Sequence, residues 1–296
     1  MAEAELIDSY YRTPDGKVAL LHGHVLDVLK AFPAESVNCV VTSPPYWSKR
    51  EYDGPNSQWD GWLGKYGSEL TPELYAEHTM MWMREIFRIL QKDGTVWLNI
   101  GDGYTNGQVN LISFHIALAA QADGWWIRSV IIWHKPNGKP ESVHNRPTQI
   151  HEYIFLLTKN KKYWYDADAV REPHISNGKG GFSNKARQKT VRFEQKHAPS
   201  LVNMVVNSRG RNCRSVWNIS TQPYHDIHFA AFPRTLPERC IKAGCPDDGI
   251  VLDPFVGSGT TCEVAHTLGR KSVGIDNSAK YLDMAIERIN KEVKVG

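Results

Sequence analysis

Long apolar runs are missing from this chain of 296 residues. None reaches the roughly 18 consecutive apolar residues of a membrane-spanning helix, and the amino terminus lacks a secretory-leader pattern. The expectation is a soluble, cytoplasmic protein. Cysteine is sparse and scattered. The five thiols, Cys39, Cys213, Cys240, Cys245 and Cys262, are odd in number, with no Cys-x-x-Cys pair and no His/Cys group at zinc spacing. That pattern argues against a disulfide framework and against a metal site, and predicts structural thiols. Internal repeats are lacking too, so a solenoid or propeller is excluded. What remains is a chain long enough for one large α/β domain with an insertion, or for two small domains, with a substantial core in either case.

A net charge of +3 says little until its distribution is read. Between Arg171 and Arg214 stand ten Lys/Arg and only two acids, Glu172 and Glu194, so this stretch carries +8 and the remainder of the chain −5. Such segregation is the electrostatic footprint of a phosphate-backbone partner on one region of an otherwise acidic protein. Apolar periodicity fades over the same stretch, while Gly178, Gly180 and Gly181 accumulate among the basic residues. A solvated linker would not need Phe182, Phe193 and the apolar run 201–206. The reading is an inserted recognition region over 171–225 between halves spanning 1–170 and 226–296, with Lys185, Arg187, Lys189, Arg192, Arg209 and Arg211 as the candidate nucleic-acid contacts.

Two stretches carry the chemistry. The first is a β-branched run, Val37 to Thr42, that stops at Ser43-Pro44-Pro45-Tyr46-Trp47. Proline fixes φ and has no N–H, and the residue before it is pushed out of the helical region. The loop is therefore stiff, and it presents hydroxyl and carbonyl acceptors with few competing donors. Tyr46, next to them, suits a flat, amine-bearing ligand. The second stretch, Ile250 to Thr261, is a strand ending in Asp253-Pro254-Phe255, followed by Gly257-Ser258-Gly259 and Thr260-Thr261. A strand that turns through Gly-x-Gly into a helix lets backbone approach a ligand at the carboxyl ends of a sheet. Asp276, 19 positions after Gly257 at the end of the next strand, is placed to accept hydrogen bonds from ribose hydroxyls. In a dinucleotide fold a third glycine would fall near residue 262, which is Cys262. That disfavours a dehydrogenase.

Together the two stretches resemble the catalytic and cofactor loops of S-adenosylmethionine-dependent DNA amino-methyltransferases, in the order of the β class, whose catalytic loop comes first. The resemblance covers most of the chain outside 171–225. It implies a doubly wound, mostly parallel Rossmann-like sheet in permuted order, interrupted by a basic target-recognition insertion. It implies S-adenosylmethionine as cofactor, with Asp253, Phe255, Gly257 and Gly259 around its methionine part, Thr260 and Thr261 near its carboxylate and Asp276 on its ribose. Double-stranded DNA is the implied substrate, with a homodimer and a cognate restriction endonuclease as further candidate partners. Ser43, Pro44, Pro45 and Tyr46 would be catalytic: Ser43 and Pro44 as acceptors for the amine, Tyr46 stacked on the flipped base. Trp47 and the Trp133-His134-Lys135 region would wall the base pocket, although Trp133 reads equally well as core and Lys135 as solvated. Serine before Pro-Pro-Tyr resembles the cytosine-N4 members; aspartate there is commoner among the adenine-N6 members, which stay as the alternative. His24 departs from the family, which usually has Gly-Asp there with the acid near the cofactor's adenine. It leaves a decayed, merely DNA-binding protein open, although both loops look intact; related loops raise RNA or a protein amide as substrates, and the basic insertion argues for a nucleic acid and against the amide.

The rest of the chain alternates short apolar strands with helical periods, which argues a parallel α/β sheet. Thr71-Pro72 marks a helix start, with a stop at Asp93-Gly94 and a strand from Thr95 to Ile100. Residues 48–68, with Trp59, Trp62 and Tyr66, show no period and read as a mobile flap or a surface Ω-loop. Asp102, just past a strand, either faces the site or caps its turn.

Overall fold

The computed structural model describes residues 9–174, 209–221 and 232–293. Lys185, Arg187, Lys189 and Arg192, with most of the basic stretch, lie outside them. The amino-terminal half supplies β1 (Tyr11–Arg12), β2 (Val18–His22), α1 (Val25–Lys30), β3 (Val37–Thr42), β4 (Ser57–Trp59), β5 (Trp62–Gly64), α2 (Pro72–Ile89) and β6 (Leu90–Ile100). After these come β7 (Tyr104–Thr105), β8 (Gln108–Val109), α3 (Ile112–Ala122), β9 (Trp126–His134) and β10 (His151–Thr158). The rest is β11 (Val216–Asn218), α4 (Thr235–Gly244), β12 (Ile250–Asp253), α5 (Thr260–Thr267), β13 (Lys271–Asp276) and α6 (Ala279–Val293).

Among the described residues the main sheet has nine strands in the order β1-β2-β13-β12-β3-β6-β10-β9-β11. From β2 to β6 the five neighbours run parallel, β10 is antiparallel to both β6 and β9, and β11 is parallel to β9. The late strands β12 and β13 thus slot between the early strands β2 and β3, which is the permuted, mostly parallel sheet that the sequence implied. Helices cover the central strands on both faces, which explains why β2, β3 and the second half of β6 read as near-continuous apolar runs rather than alternating ones. α2 starts where Thr71 accepts the Leu74 N–H at 3.2 Å and Pro72 opens the first turn. Its buried face carries Tyr75, Trp82, Met83 and Ile86.

Residues 1–166 with 215–296 make one compact unit and residues 167–214 a second. In the second, Glu172 and Arg211 exchange two backbone hydrogen bonds of 2.9 Å, an isolated antiparallel bridge. Arg209 is ion-paired with Asp168, and both Arg211 and Arg214 with Glu172.

Two local expectations are corrected. β6 begins at Leu90 rather than Thr95, because Leu90 is fully buried against Val37 and a bulge in the β3–β6 register absorbs Asp93-Gly94. Residues 48–68 are not structureless. Asp60-Gly61 turns β4 into β5 with Gly61 at φ +75°, so Trp59 pairs with Trp62 across a two-residue hairpin. Trp59 is only 2 % exposed, stacked between Tyr66 (5.1 Å) and His78 (5.3 Å) with His24 edge-on at 4.7 Å. The hairpin is pinned into the core by that indole, so Trp59→Ala should lower the unfolding free energy by about 3–5 kcal/mol in denaturant titration. A loss below about 1 kcal/mol would mean that the segment hangs free.

At the end of β12, Asp253 joins the two halves. Thr42 of β3 and Thr261 of α5 each donate to one of its oxygens at 2.7 Å, and the Phe255 N–H donates at 3.1 Å. Burial outweighs these bonds and pushes the carboxyl from 3.8 up to about 6. The folded state thus holds this proton more tightly than the unfolded chain does. The resulting stabilisation is full below pH 3.8 and is lost as the pH rises through about 6. Asp253→Asn, neutral throughout, should therefore lose less stability than the parent between about pH 4 and about pH 7 when urea midpoints are compared. Parallel curves for the two proteins would refute this.

Candidate active site

In an open parallel sheet the backbone loops that can hold a ligand sit at the strands' carboxyl ends. Here the carboxyl ends of β2, β3, β6, β12 and β13 meet at one edge, and because β10 runs the other way it brings its amino end, with Glu152, to the same place. Between them lies a cavity of about 1160 Å³. This exceeds the roughly 300–1,000 Å³ typical of a single small-molecule pocket and leaves room for two reactants.

One wall is the loop after β3. Ser43, Pro44, Pro45 and Tyr46 all line the cavity. The Pro45 carbonyl is taken by the Tyr75 hydroxyl at 2.8 Å, whereas the Pro44 carbonyl has no partner among the described residues. Beyond it, the Trp47 indole donates to the Glu69 carbonyl, the Glu69 carboxylate accepts the Gly67 N–H, and Gly67 in turn accepts from Ser48. Glu69 and His78, both buried, pair at 3.1 Å behind this brace. Trp47 is therefore part of the support packed on the core and does not line the cavity, contrary to expectation.

Tyr46 is held at its far end. Its hydroxyl donates to Glu152 Oε2 at 2.8 Å and accepts from Ser43 Oγ at 3.0 Å and from Asn99 Nδ2 at 2.6 Å. Asn99 Nδ2 also reaches Ser43 Oγ (3.3 Å) and Glu152 Oε2 (3.0 Å), and Lys135 Nζ is bonded to Glu152 Oε1. Burial, then the Glu152 charge, raises the Tyr46 phenol well above its ordinary value, so it stays a protonated donor. A Cβ on Gly101 would meet the Tyr46 ring at 2.6 Å, so glycine there gives the ring its seat. Asn99 and Glu152 were missed in the sequence. The available signal was an amide in the apolar run Trp97-Leu98-Asn99-Ile100 and an acid at the head of a buried strand.

Around the same wall, Trp133 lines the cavity from a buried position, its indole donating to the Ile219 carbonyl at 2.7 Å and its ring lying 4.2 Å from Lys135 Nζ. It is core and wall at once. His134 instead pairs with Asn218 of β11 at 2.7 Å and is not among the lining residues. Asp102 caps its own turn through the Gly103 N–H and lines the cavity as well. Burial raises the Asp102 carboxyl and lowers the nearby Lys49 ammonium, so both sit where ionisation is discouraged.

The opposite wall is the loop after β12. Gly257 has φ +49° and open space where a Cβ would be, so its backbone faces the cavity bare. Its N–H donates to Asp276 Oδ2 at 3.0 Å, and Ser278 N–H to Oδ1 at 2.9 Å. Burial lifts the Asp276 carboxyl from 3.8 to about 6, and each oxygen keeps acceptor capacity beyond these bonds. Phe255 presents a ring stacked on Tyr66 at 5.4 Å, and Thr260 Oγ1 is buried with no hydrogen-bond partner among the described residues. His24 lines the cavity from the cap of α1, and burial lowers its imidazole toward the neutral form. Two expected contacts fall elsewhere: Thr261 is fully buried behind the loop on Asp253 and Val41, and a Cβ on Gly259 would strike Ala285 of α6 at 2.7 Å. Gly259 thus serves helix packing. Asp253 does line the cavity, with both its oxygens engaged by internal donors. Just before α4, Phe232 lines the cavity as well.

At the level of the whole chain the similarity is to the type II methyltransferases M.Cfr9I of Citrobacter freundii, 37% identical over 92% of this chain and 88% of the relative, and M.SmaI of Serratia marcescens, 37% identical over 91% and 90%. In fold it is similar to the cytosine-N4-specific PvuII DNA methyltransferase, with a TM-score of 0.69 at 19% identity over 97% of this chain and 93% of that one. A Thermus thermophilus protein solved in complex with S-adenosyl-L-methionine superposes with a TM-score of 0.59 at 25% identity, covering 93% of both chains. The DNA methylase profile of N6/N4 type matches residues 37–287, nearly the whole two-walled sheet, and the chain belongs to that DNA methylase family.

Proposed function

We propose that this DNA methylase transfers a methyl group from S-adenosylmethionine to the exocyclic N4 amine of a cytosine flipped out of duplex DNA. The observation that carries the reading is the state of Ser43. Its hydroxyl proton is committed to Tyr46 and one lone pair to Asn99, so what it offers the cavity is an acceptor. Beside it the Pro44 carbonyl is a second acceptor. An exocyclic amine is a weak nucleophile because its lone pair is delocalised into the ring. Acceptors on both amino hydrogens pull the nitrogen toward tetrahedral geometry and stabilise the positive charge that develops there. Tyr46, anchored at its hydroxyl and seated on Gly101, holds the base by stacking, and the paired walls align the reactants.

The second wall fits the cofactor by its own chemistry. Asp276 retains acceptor capacity for ribose hydroxyls, Gly257 admits a ligand against bare backbone, Phe255 gives a flat apolar face, and the Thr260 hydroxyl has no other partner among the described residues. When bound there, S-adenosylmethionine supplies an electrophilic methyl on a sulfonium centre. A base inside a duplex cannot reach the loop, so flipping is required, at a cost of a few kcal/mol. Arg209, Arg211 and the basic residues 185–192 are the proposed phosphate contacts, which position the duplex without reading it. Serine before Pro-Pro-Tyr favours cytosine over adenine, and the type II names of the relatives support a role beside a cognate endonuclease.

Incubation with duplex DNA and labelled S-adenosylmethionine, followed by digestion to nucleosides and mass spectrometry, should give 4-methylcytosine. Finding 6-methyladenine would overturn the choice of base, and unlabelled DNA would overturn the substrate class. Tyr46→Ala should slow single-turnover transfer by about 100-fold through misplacement of the base. Cofactor affinity, measured by calorimetry, should be retained, and its loss in a folded variant would place Tyr46 on the other wall.

A further inference from the structure

The bonds around Tyr46 form a directed chain, and the direction is set by its last member. An ionised carboxylate only accepts, so the Tyr46 hydroxyl must donate to Glu152 Oε2 (2.8 Å). Its own oxygen is then left to accept, which orients the Ser43 hydroxyl toward it at 3.0 Å. Asn99 Nδ2, which only donates, reaches all three groups and fixes the same polarity. Every mobile proton in the chain therefore points away from the cavity face of Ser43 and toward Glu152. We propose that Glu152 is the terminal proton acceptor of the methyl transfer, reached from the substrate amine through Ser43 and Tyr46.

This inference rests on the reading above that Ser43 holds the amine. The amine lone pair forms the bond to the methyl carbon while the carbon–sulfur pair stays on sulfur. The nitrogen, now bearing a methyl and two hydrogens, loses one proton to Ser43 Oγ and keeps that bond's electrons. Ser43 passes its own proton to Tyr46, and Tyr46 passes its own to Glu152. Both hydroxyls are restored, the product amine is neutral, and the carboxylate has become a carboxylic acid. Glu152 can return the proton to solvent, since its side chain is 17% exposed on the cavity. The charged and titratable groups facing it are Lys135 on Oε1, Lys49 and Tyr52 from the loop after β3, Tyr46 itself, and Asp102 across Lys49. Ser43 need not be a strong base in this arrangement, because it exchanges one proton for another.

The test uses the full-length protein with duplex DNA, following single-turnover transfer across pH in H₂O and D₂O. Glu152→Gln and Tyr46→Phe, which keeps the ring, should each slow transfer by about 100-fold or more and each abolish the acid limb of the wild-type profile and its solvent isotope effect. The double variant should be no slower than the slower single, because either change cuts the same chain. Glu152→Asp should restore part of the rate together with the acid limb. Rates within about threefold of wild type, a loss that leaves the acid limb in place, or losses that multiply in the double variant would each overturn the proposal. Should Glu152→Gln fail to fold by circular dichroism, Tyr46→Phe decides alone. The identity of the wild-type product is read in the same reactions. If 4-methylcytosine forms and the variants are unaffected, only the proton route fails; any other wild-type product means the functional reading fails first.

Discussion

The parallel pairing of β3 with β12 is the constraint on which the rest depends. Val251 lies opposite Cys39 and Leu252 opposite Val40, two residues separated by more than two hundred positions in sequence. That register sets how far the Ser43 loop stands from the Gly257 loop, and hence whether two reactants can meet in line. A one-residue slip would turn every side chain of β3 to the other face. Asp253 guards against it from the strand end, drawing one hydrogen bond from Thr42 and another from Thr261. Removing a buried acid from water is costly, and its displaced titration shows the cost. The position is occupied by an acid because only a two-oxygen acceptor can satisfy donors from β3 and α5 together with the Phe255 N–H.

Three of the carboxylates in and behind the site are separated by environment. Glu69 is enclosed with His78 and braces the loop from behind. Asp276 is held by two backbone N–H groups and keeps acceptor capacity toward the cavity. Glu152 alone combines a cation, a hydroxyl donor and access to water. The same functional group is thus enclosed in one case, held with acceptor capacity to spare in the second and open to water in the third, and the surroundings rather than the residue type distinguish the three.

The two loops were legible in the sequence because glycine and proline act locally. Pro44 and Pro45 stiffen a strand end whatever surrounds them, and the openness at Gly257 follows from the absence of its own Cβ. That these strands are central was legible too, since runs such as Val37–Thr42 and Ile250–Asp253 are apolar on both faces, whereas their permuted order followed from the family resemblance alone. The misread members share a cause: their roles are set by what packs behind them. Gly259 has the same local signature as Gly257, and only the approach of Ala285 from α6 reveals that it admits a helix rather than a ligand. Trp47 and Trp133 are equally aromatic and equally close to a candidate loop, yet one braces and the other lines the cavity. Asn99 and Glu152 come from strands distant in sequence, and no spacing rule links them to Ser43.

Strand direction explains why that last pair could be recruited. β10 is antiparallel within an otherwise parallel neighbourhood, so its first residues, and not its last, stand at the ligand edge. Had β10 run parallel to β6, Glu152 would lie at the opposite edge of the sheet, about 25 Å away for a strand of this length. The reversal brings an acid to a loop in which Pro44 and Pro45 each remove a backbone donor. An acceptor-rich loop needs such a partner: its serine can present a lone pair to a ligand only if its proton has somewhere else to point. Tyr46 supplies that direction and Glu152 terminates it, so the acceptor character of Ser43 is a property of the sheet's topology as much as of the loop.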